Sequence, residues 1–335
     1  MHVGRRWKLV IPLSVAVILG LFFWGRKTKH LSVSQDEISS CPCPFRKAFL
    51  ALRDSMPWPR SFPLIAIIDS GLDQVLAEKE GVTVPWESTR SANLAVDSKS
   101  AGLWDDLFHG TGITLELAAK DNRFGMVGLL PEASVLPIRI GTKNELMGGK
   151  VPFSRLEQAF QFAAEQNARI VVLSLSDIES RWPKKRMQKL LARYQDQLLV
   201  INAAGNDKRR LIAGETCPYV PTCLQAPNLI KVGASDYHRS NFGPLVDVKI
   251  ASECRQWRLS ENGEPTIVTL KSTSVATPKV AAVAALLLAS RALSIKDAAS
   301  QITRSVKMDA ELDLKAIFTN GRKSQETDPK LKSEE

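Results

Sequence analysis

Short runs of apolar, largely β-branched residues recur along the chain after residue 60. Five of them have the length of a strand: Leu64–Ile68, Val135–Ile140, Ile170–Leu175, Leu198–Ala203 and Leu229–Val232. Because consecutive positions are apolar, both faces of each strand must be covered, as in a parallel sheet between layers of helices. Helical patterns separate the runs. This alternation predicts an α/β fold: a doubly wound, mostly parallel sheet with helices on both faces.

Two of the predicted helices have clear boundaries. Ser154 and Glu157 have the spacing of a capping box, and the helix that they open carries an apolar stripe of Leu156, Phe160 and Ala163. A second helix, rich in Ala and Leu, is predicted from about Val275 to Arg291. Beyond residue 320 the chain is charged and almost without apolar residues, which predicts a disordered tail.

The N-terminal segment, residues 9–24, is apolar at all but three positions, and the next charge is Arg26. This pattern is typical of a membrane anchor or a signal peptide. Phe-Phe-Trp at 22–24 suits a membrane interface and lacks the small residues of a cleavage site. We therefore expect an uncleaved anchor, with secretion after signal cleavage as the alternative. Basic residues on both sides nearly balance, so charge leaves the orientation open; we expect the domain to be extracytoplasmic.

These patterns divide the chain into four parts. Residues 1–30 contain the anchor or signal segment, and residues 31–60 form a polar stalk. One domain is predicted over residues 61–320, followed by the tail at residues 321–335. The 335 residues are 44% apolar and 24% charged, an ordinary globular composition with ample length for a core.

The net charge of +10 is concentrated near the N-terminus. Residues 1–60 contain ten Lys or Arg and three Asp or Glu, so the remainder has 35 basic against 32 acidic side chains. The domain is therefore nearly neutral. A nucleic-acid-binding domain carries its basic excess on one folded face, so we expect no nucleic-acid partner.

The five cysteines lack the paired spacing of a zinc site. Cys217 and Cys223 bracket a short loop that can close as a disulfide in an oxidising compartment. Cys41 and Cys43 lie in the stalk. Cys254, in the domain, is a conceivable disulfide partner for one of them. Reduced cysteines that simply fill space are the alternative.

Four side chains with catalytic potential lie near the ends of predicted elements. Asp69 follows the first strand and Asn206 the fourth, while His109 and Ser274 each precede or begin a helical run. A carboxylate can accept from an imidazole, an amide can donate to developing negative charge, and a helix N-terminus favours an oxyanion. Taken singly, each group also fits an ordinary turn or helix cap.

Taken together, Asp69, His109, Asn206 and Ser274 resemble, in their order and local sequence, the motifs of the subtilisin-like serine peptidase family. Three further stretches resemble the family: Val127–Ser134, Val172–Ser176 and Asn228–Ala234. The resemblance covers about residues 62–318. It implies a subtilisin-like fold and a serine endopeptidase that acts on protein or peptide substrates.

The resemblance also implies a role for each residue. Ser274 would be the nucleophile, His109 the general base, and Asp69 the group that orients the imidazole. Asn206 would hold the oxyanion together with the Ser274 N–H. The substrate backbone would pair with Ser174 and Leu175 as an added strand, and Ser176 and Asp177 would border the first specificity pocket.

Several positions depart from the family pattern. Gly112 stands where a second His is usual, Lys279 where His is frequent, and Ser272 where Gly is usual, so we expect strain at Ser272. Ser176 and Asp177 replace a small Gly pair. Acidic Asp177, together with Asp105 and Asp106, favours a basic substrate side chain; solvated acids are the alternative.

Residues 31–60 are too few for a folded propeptide, so the enzyme folds unaided, uses a separate activator or chaperone chain, or is activated differently. No cofactor is expected; calcium is compatible with the family, but no site can be traced.

Three hypotheses remain open. The first is an active, membrane-tethered serine endopeptidase. The second is a catalytically inactive relative that binds peptides or a partner protein, favoured by the departures at Ser272, Ser176 and Asp177. The third is another serine hydrolase on this fold, such as an esterase or a ligase.

Overall fold

The computed structural model describes residues 44–319, apart from residues 86, 88–91, 96–102, 149–150, 179–180, 214–216, 261, 263 and 308–309. The predicted membrane segment at residues 9–24, the first part of the stalk and the tail at 321–335 lie outside the described residues.

The strands are β1 (Ile65–Asp69), β2 (Val135–Arg139), β3 (Ile170–Leu173), β4 (Asp177–Ile178), β5 (Leu199–Ala203), β6 (Tyr219–Val220), β7 (Leu229–Ala234), β8 (Val248–Ile250), β9 (Cys254–Leu259) and β10 (Pro265–Leu270). The helices are α1 (Pro44–Ser55), α2 (Gln74–Lys79), α3 (His109–Ala118), α4 (Lys143–Met147), α5 (Phe153–Glu165), α6 (Lys184–Arg193), α7 (Thr273–Ser290), α8 (Ile295–Arg304) and α9 (Leu314–Thr319).

Six strands form one sheet in the order β2-β1-β3-β5-β7-β8, and every neighbouring pair is parallel. Strands β1, β2, β3, β5 and β7 are buried along their whole length, because helices cover the sheet. The predicted parallel α/β fold is therefore confirmed. The five predicted strands occur within two residues of their expected ends.

The central helix α7 packs against β3, β5, β7 and β8. It is long and apolar enough to cross a membrane, but most of it is buried inside the domain. Its apolar character on all sides is that of a core helix. Helix α3 packs against β1, β2 and α7, so the two helices meet above neighbouring strands of the sheet.

The predicted capping box at Ser154 is wrong. Helix α5 begins at Phe153 with Pro152 as its N-cap, which places Ser154 inside the first turn. Phe153 is buried, and its ring packs edge-on against Trp182, so tertiary packing starts the helix two residues early. The predicted stripe of Leu156, Phe160 and Ala163 is buried as expected.

Part of the predicted stalk is a helix. In α1, Phe45 and Phe49 are buried in the main core, and Leu52 packs beside them. These residues recur at the spacing of one helix face, so burial of that face stabilises a segment that looks polar by composition. The polar-stalk prediction is therefore wrong for residues 44–55.

A hairpin of β9 and β10 precedes α7. Strand β9 packs against α3, and two of its side chains reach buried carboxylates: Gln256 donates to Glu116, and Trp257 Nε1 donates to Glu80. The hairpin was absent from the strand prediction, because its polar residues lack the apolar runs of the central sheet.

Candidate active site

The carboxyl ends of three adjacent strands carry the predicted site. Asp69 ends β1, Ser174 directly follows β3, and Asn206 follows β5, and these strands are neighbours in the sheet. Functional groups of open α/β sheets gather at this edge. Helix α7 brings Ser274 to the same place, since the Ser274 hydroxyl donates to the Ser174 carbonyl oxygen at 3.4 Å.

Asp69 and His109 form a hydrogen-bonded pair. The distance between Asp69 Oδ1 and His109 Nδ1 is 2.7 Å. The Asp69 side chain is 1% exposed and that of His109 is 21% exposed, so the carboxylate is sealed while the ring reaches the surface. A carboxylate on Nδ1 fixes the ring orientation and leaves Nε2 as the nitrogen for an incoming proton.

Ser70 holds both partners of this pair. Its backbone N–H donates to Asp69 Oδ1 at 2.7 Å, and its hydroxyl lies 3.1 Å from the same oxygen. The hydroxyl also accepts from the Gly110 N–H at 2.9 Å, directly after His109. Asp69 Oδ2, in contrast, is buried without a hydrogen-bond partner among the described residues.

The backbone before His109 adopts an uncommon conformation. Phe108 is fully buried with φ 61° and ψ 17°, in the left-handed region that non-glycine residues rarely adopt. Asp105 compensates for this cost. Its Oδ1 accepts from the Phe108 N–H at 2.6 Å, and its Oδ2 accepts from the Thr111 N–H at 2.8 Å. Asp105 thus caps the first turn of α3 and fixes where His109 begins.

Burial raises the pKa of the Asp105 carboxyl, although hydrogen bonds from Thr111 and Ser70 lower it. This buried carboxylate therefore has a structural role. Asp106 is also engaged, since it accepts from the Lys143 N–H at 2.9 Å and lies 3.6 Å from the Arg139 guanidinium. Asp105 is sealed from a substrate side chain, whereas the Asp106 side chain is 31% exposed, so the predicted basic preference loses one of its three supports.

Ser274 is the second residue of α7 and is 8% exposed. The N-cap is Ser272, whose hydroxyl accepts from the Val275 N–H at 3.2 Å. The backbone of Ser272 is extended, with φ −170° and ψ 168°, which any residue adopts. The strain expected at Ser272 is therefore absent, because its side chain caps the helix instead of crowding it.

Asn206 is anchored by one oxygen. Its Oδ1 accepts from both the N–H and the hydroxyl of Thr273, each at 3.0 Å. Because Oδ1 faces Thr273, the Nδ2 donors of Asn206 point away from Thr273. Gly205 needs its glycine, because its φ is +99° and a Cβ would lie 2.5 Å from Asn241 Nδ2. The loop therefore presents an amide group beside the start of α7.

The predicted substrate segment lies between β3 and β4. Ser174 is buried, Leu175 is half-buried and Ser176 is exposed, whereas the Asp177 side chain lies outside the described part of the chain. Asn202 donates to the Leu173 and Leu175 carbonyl oxygens, both at 2.9 Å. Asn202 thus holds the segment where it leaves the sheet. The sequence did not indicate this role, because Asn202 lies within an apolar strand.

Lys279 lies deep between the helices. It is 1% exposed, and its Nζ donates to the carbonyl oxygens of Ala251, Ser252 and Glu253 at 2.9–3.2 Å. The Nζ is also 3.8 Å from Glu116 Oε1. This ion pair joins α7 to α3, so a cation at this position ties the helix that carries Ser274 to the helix that carries His109.

His238, the other histidine within residues 61–320, is exposed, and its ring packs on that of Tyr237. Cys217 and Cys223 form the predicted disulfide. Within the part of the chain that the structure describes, no group of three or more His, Cys, Asp or Glu side chains is arranged to hold a metal ion.

Comparison with known proteins agrees with this geometry. Thermitase from Thermoactinomyces vulgaris is 28% identical over 229 residues, which are 67% of this chain and 74% of thermitase. Subtilisin E from Bacillus subtilis is 28% identical over 230 residues, which are 67% of this chain and 55% of subtilisin E. Among solved structures, the epidermin leader peptide processing serine protease of Staphylococcus aureus matches with a TM-score of 0.62 at 19% identity, covering 81% of this chain and 78% of that one.

The structural match shows a shared fold. The model of the subtilase family, Peptidase S8, matches residues 61–325, which is most of the chain. This chain therefore belongs to the subtilase family and is a serine-type hydrolase.

Proposed function

We propose that the protein is a serine endopeptidase that hydrolyses peptide bonds through an acyl-enzyme on Ser274. The observation that carries this proposal is the Asp69–His109 hydrogen bond of 2.7 Å at the sheet edge where Ser274 and Asn206 also lie. A buried carboxylate, an exposed imidazole edge, a serine hydroxyl and an amide donor are the parts that acyl transfer requires.

In the first step, the Ser274 oxygen attacks the scissile carbonyl carbon while His109 Nε2 takes the hydroxyl proton. The Ser274 hydroxyl donates to the Ser174 carbonyl in the resting structure, so the attack requires this hydroxyl to turn towards His109. The Asn206 amide and the Ser274 N–H stabilise the negative oxygen of the tetrahedral intermediate. The intermediate collapses as His109 returns the proton to the leaving amine.

In the second step, water hydrolyses the acyl-enzyme. His109 takes a proton from the water, the resulting hydroxide attacks the ester carbon, and the proton then passes to the Ser274 oxygen. Asp69 stays ionised and stabilises the imidazolium that forms in each half-reaction. Its attachment to Ser70 keeps the carboxylate in place while the charge on the ring changes.

The substrate in this proposal is an extended segment of a protein or peptide. It pairs as an added strand with the backbone of Ser174 and Leu175, where Ser176 leads to an exposed edge. A preference for a basic side chain now rests on Asp106 and Asp177. We further propose that residues 9–24 tether the domain to the outer side of a membrane, which agrees with the disulfide at Cys217.

The alternative is an inactive relative that binds peptides. It was favoured by the departure at Ser272, but the relaxed backbone there removes that argument. The departures at Ser176 and Asp177 keep this alternative open, because they border the predicted first specificity pocket.

The test is labelling of the full-length protein with a fluorophosphonate, which reacts with an activated serine. We expect wild type to label and Ser274→Ala not to label. Ser290→Ala, at the other end of α7, is the matched control and should label like wild type. Cleavage of a denatured protein substrate by wild type then separates a peptidase from an esterase. A folded wild type that never labels would contradict the proposal and favour the binding role.

A further inference from the structure

A cationic side chain from the β9–β10 hairpin lies over the first turn of α3. Arg258 is half-buried, and its Nη1 donates to the Trp257 carbonyl oxygen at 2.9 Å and to the Phe108 carbonyl oxygen at 3.4 Å. Phe108 is the left-handed residue that immediately precedes His109. The guanidinium thus contacts the strained peptide unit from which the imidazole is positioned.

The space that the guanidinium occupies exists because residue 112 has no side chain. A Cβ built on Gly112 would overlap Arg258 Nη1 and lie 3.0 Å from both Arg258 Cζ and the Trp257 carbonyl oxygen. In the sequence, Gly112 stands out only as a departure from the family pattern. The structure shows that Gly112 and Arg258 are complementary, because the Arg258 guanidinium occupies the space that a side chain at residue 112 would fill.

The charges around Arg258 explain why a cation is stable at a helix N-terminus, where the helix dipole disfavours it. Burial lowers the pKa of Arg258, while the negative charges of Glu116, Asp69 and Asp105 raise it. An arginine remains protonated in such surroundings. Asp69 Oδ2 is buried without a hydrogen-bond partner among the described residues, so a nearby fixed cation offsets the cost of burying its charge.

We propose that Arg258 is a positioning residue for His109: it holds the Phe108 carbonyl and places a fixed positive charge beside the Asp69–His109 pair, in the space left by Gly112. The inference rests on the proposed function, in which His109 acts as the base. Arg258 is then a second determinant of how His109 is positioned. It lies on a hairpin, 150 positions further along the chain than Phe108.

The proposal predicts how the base responds to pH. Among the described residues, the charges that act on Arg258 are Asp69 on β1, Asp105 in the loop before α3 and Glu116 on α3, and Glu116 in turn lies 3.8 Å from Lys279 on α7. By Coulomb repulsion, the Arg258 guanidinium opposes a second positive charge on the nearby imidazole. Removing the cation should therefore move the acid limb of activity to higher pH.

The test compares the rate constant of fluorophosphonate labelling of the full-length protein from pH 5 to pH 9. For Arg258→Met we expect the acid limb to move upward by about 0.5–1 pH unit. This is the pKa shift that a single nearby charge causes at a partly exposed site. Arg258→Lys keeps the charge and should retain the wild-type limb with a lower plateau. Arg255→Met, on the same strand with its side chain directed to the other face, is the matched control and should leave the limb unchanged.

Arg258→Gln serves as a second neutral variant if Arg258→Met does not fold. The ring signal of His109, followed by NMR against pH in wild type and in the neutral variant, gives a readout that needs no activity. Its titration midpoint should rise in the neutral variant by the same interval as the acid limb. If wild type fails to label, the proposed function is wrong, and the NMR midpoint alone decides on Arg258.

A double-mutant cycle tests the complementarity of the two residues. Gly112→Ala should lower the labelling rate at least tenfold when Arg258 is present, because the new methyl group displaces the guanidinium. In the Arg258→Met background the same substitution should cost at most about threefold. An unchanged acid limb and an unchanged NMR midpoint in the neutral variants, or equal costs of Gly112→Ala in both backgrounds, would overturn the proposal.

Discussion

Asp69 and His109 lie among buried charges and short hydrogen bonds, whereas Ser274 and Asn206 are held mainly by neutral groups. On the histidine side, Ser70 and Asp105 fix the backbone on either side of the imidazole. On the serine side, the contacts come from the hydroxyl and backbone of Thr273 and from the Ser174 carbonyl.

The contrast follows from what each side must do in the proposed mechanism. The imidazole gains and loses a positive charge in each of the two half-reactions, so its surroundings must hold their geometry while that charge appears and disappears. The serine hydroxyl must exchange one hydrogen-bond partner for another, so a single bond of 3.4 Å suits it better than a rigid network. We therefore expect changes on the serine side to reduce activity and spare stability, and changes on the histidine side to reduce both.

The largest effect is expected for Asn206→Asp. The substitution keeps the Oδ1 that accepts from Thr273 but replaces the amide donor with a carboxylate oxygen. We expect the rate of peptide cleavage to fall about 10²–10³-fold, the range for loss of one oxyanion donor. The midpoint of urea unfolding should stay near that of wild type. Asn144→Asp, exposed on α4, is the control; a loss of stability in Asn206→Asp as large as the loss of activity would break the comparison.

Asp105→Asn probes the other side. An amide placed here loses at least one of the bonds that the carboxylate accepts from Phe108 and Thr111 and turns a donor towards an N–H. We expect the free energy of unfolding to fall by about 2–3 kcal/mol, measured by urea denaturation. Labelling should also slow, because His109 follows the left-handed Phe108. Asp196→Asn, at a carboxylate that is 73% exposed, should change stability by at most about 0.5 kcal/mol.

The smallest effect concerns Glu80, which anchors Trp257 of the hairpin. Burial raises the pKa of Glu80 from 4.5 to about 7, against the lowering effect of hydrogen bonds from Trp257 and Met126. Because the folded protein binds this proton more tightly than the unfolded chain, the contribution to stability is complete below pH 4.5 and is lost as the pH rises through 7. The full rise in the pKa of Glu80 limits this contribution to the free energy of unfolding to roughly 3 kcal/mol.

Urea unfolding at pH 5 and pH 8 measures this dependence. In Glu80→Gln the loss of stability between the two pH values should be smaller than in wild type by about 1–2 kcal/mol, because the amide does not ionise. Glu132→Gln removes a carboxylate on the surface, where its side chain is 41% exposed, and should leave the wild-type slope. Equal slopes in wild type and Glu80→Gln would show that this carboxylate stays ionised in the fold.

The strands could be predicted, and the proposed reactive residues could be selected as candidates, because their signals are local. Continuous apolar runs, which the fold buries, predicted five strands of the central sheet. Asp69, His109, Asn206 and Ser274 lie in short stretches with a characteristic neighbourhood, and the parallel topology then brings their strand ends together. Local spacing failed at Ser154, where the packing of Phe153 against Trp182 moved the start of the helix.

Only the tertiary structure decided how these residues are supported. Composition placed residues 44–55 in a polar stalk, yet burial of Phe45 and Phe49 makes this segment part of the domain. Arg258 and Gly112 look unrelated in the sequence, because nothing local to either indicates that one fills the space of the other. The sequence by itself determined the fold class and indicated the proposed reactive groups, since both depend on residue type and short-range order. The conformation of Phe108 and the charges around His109 depend on side chains far apart in the chain, and only folding brings them together.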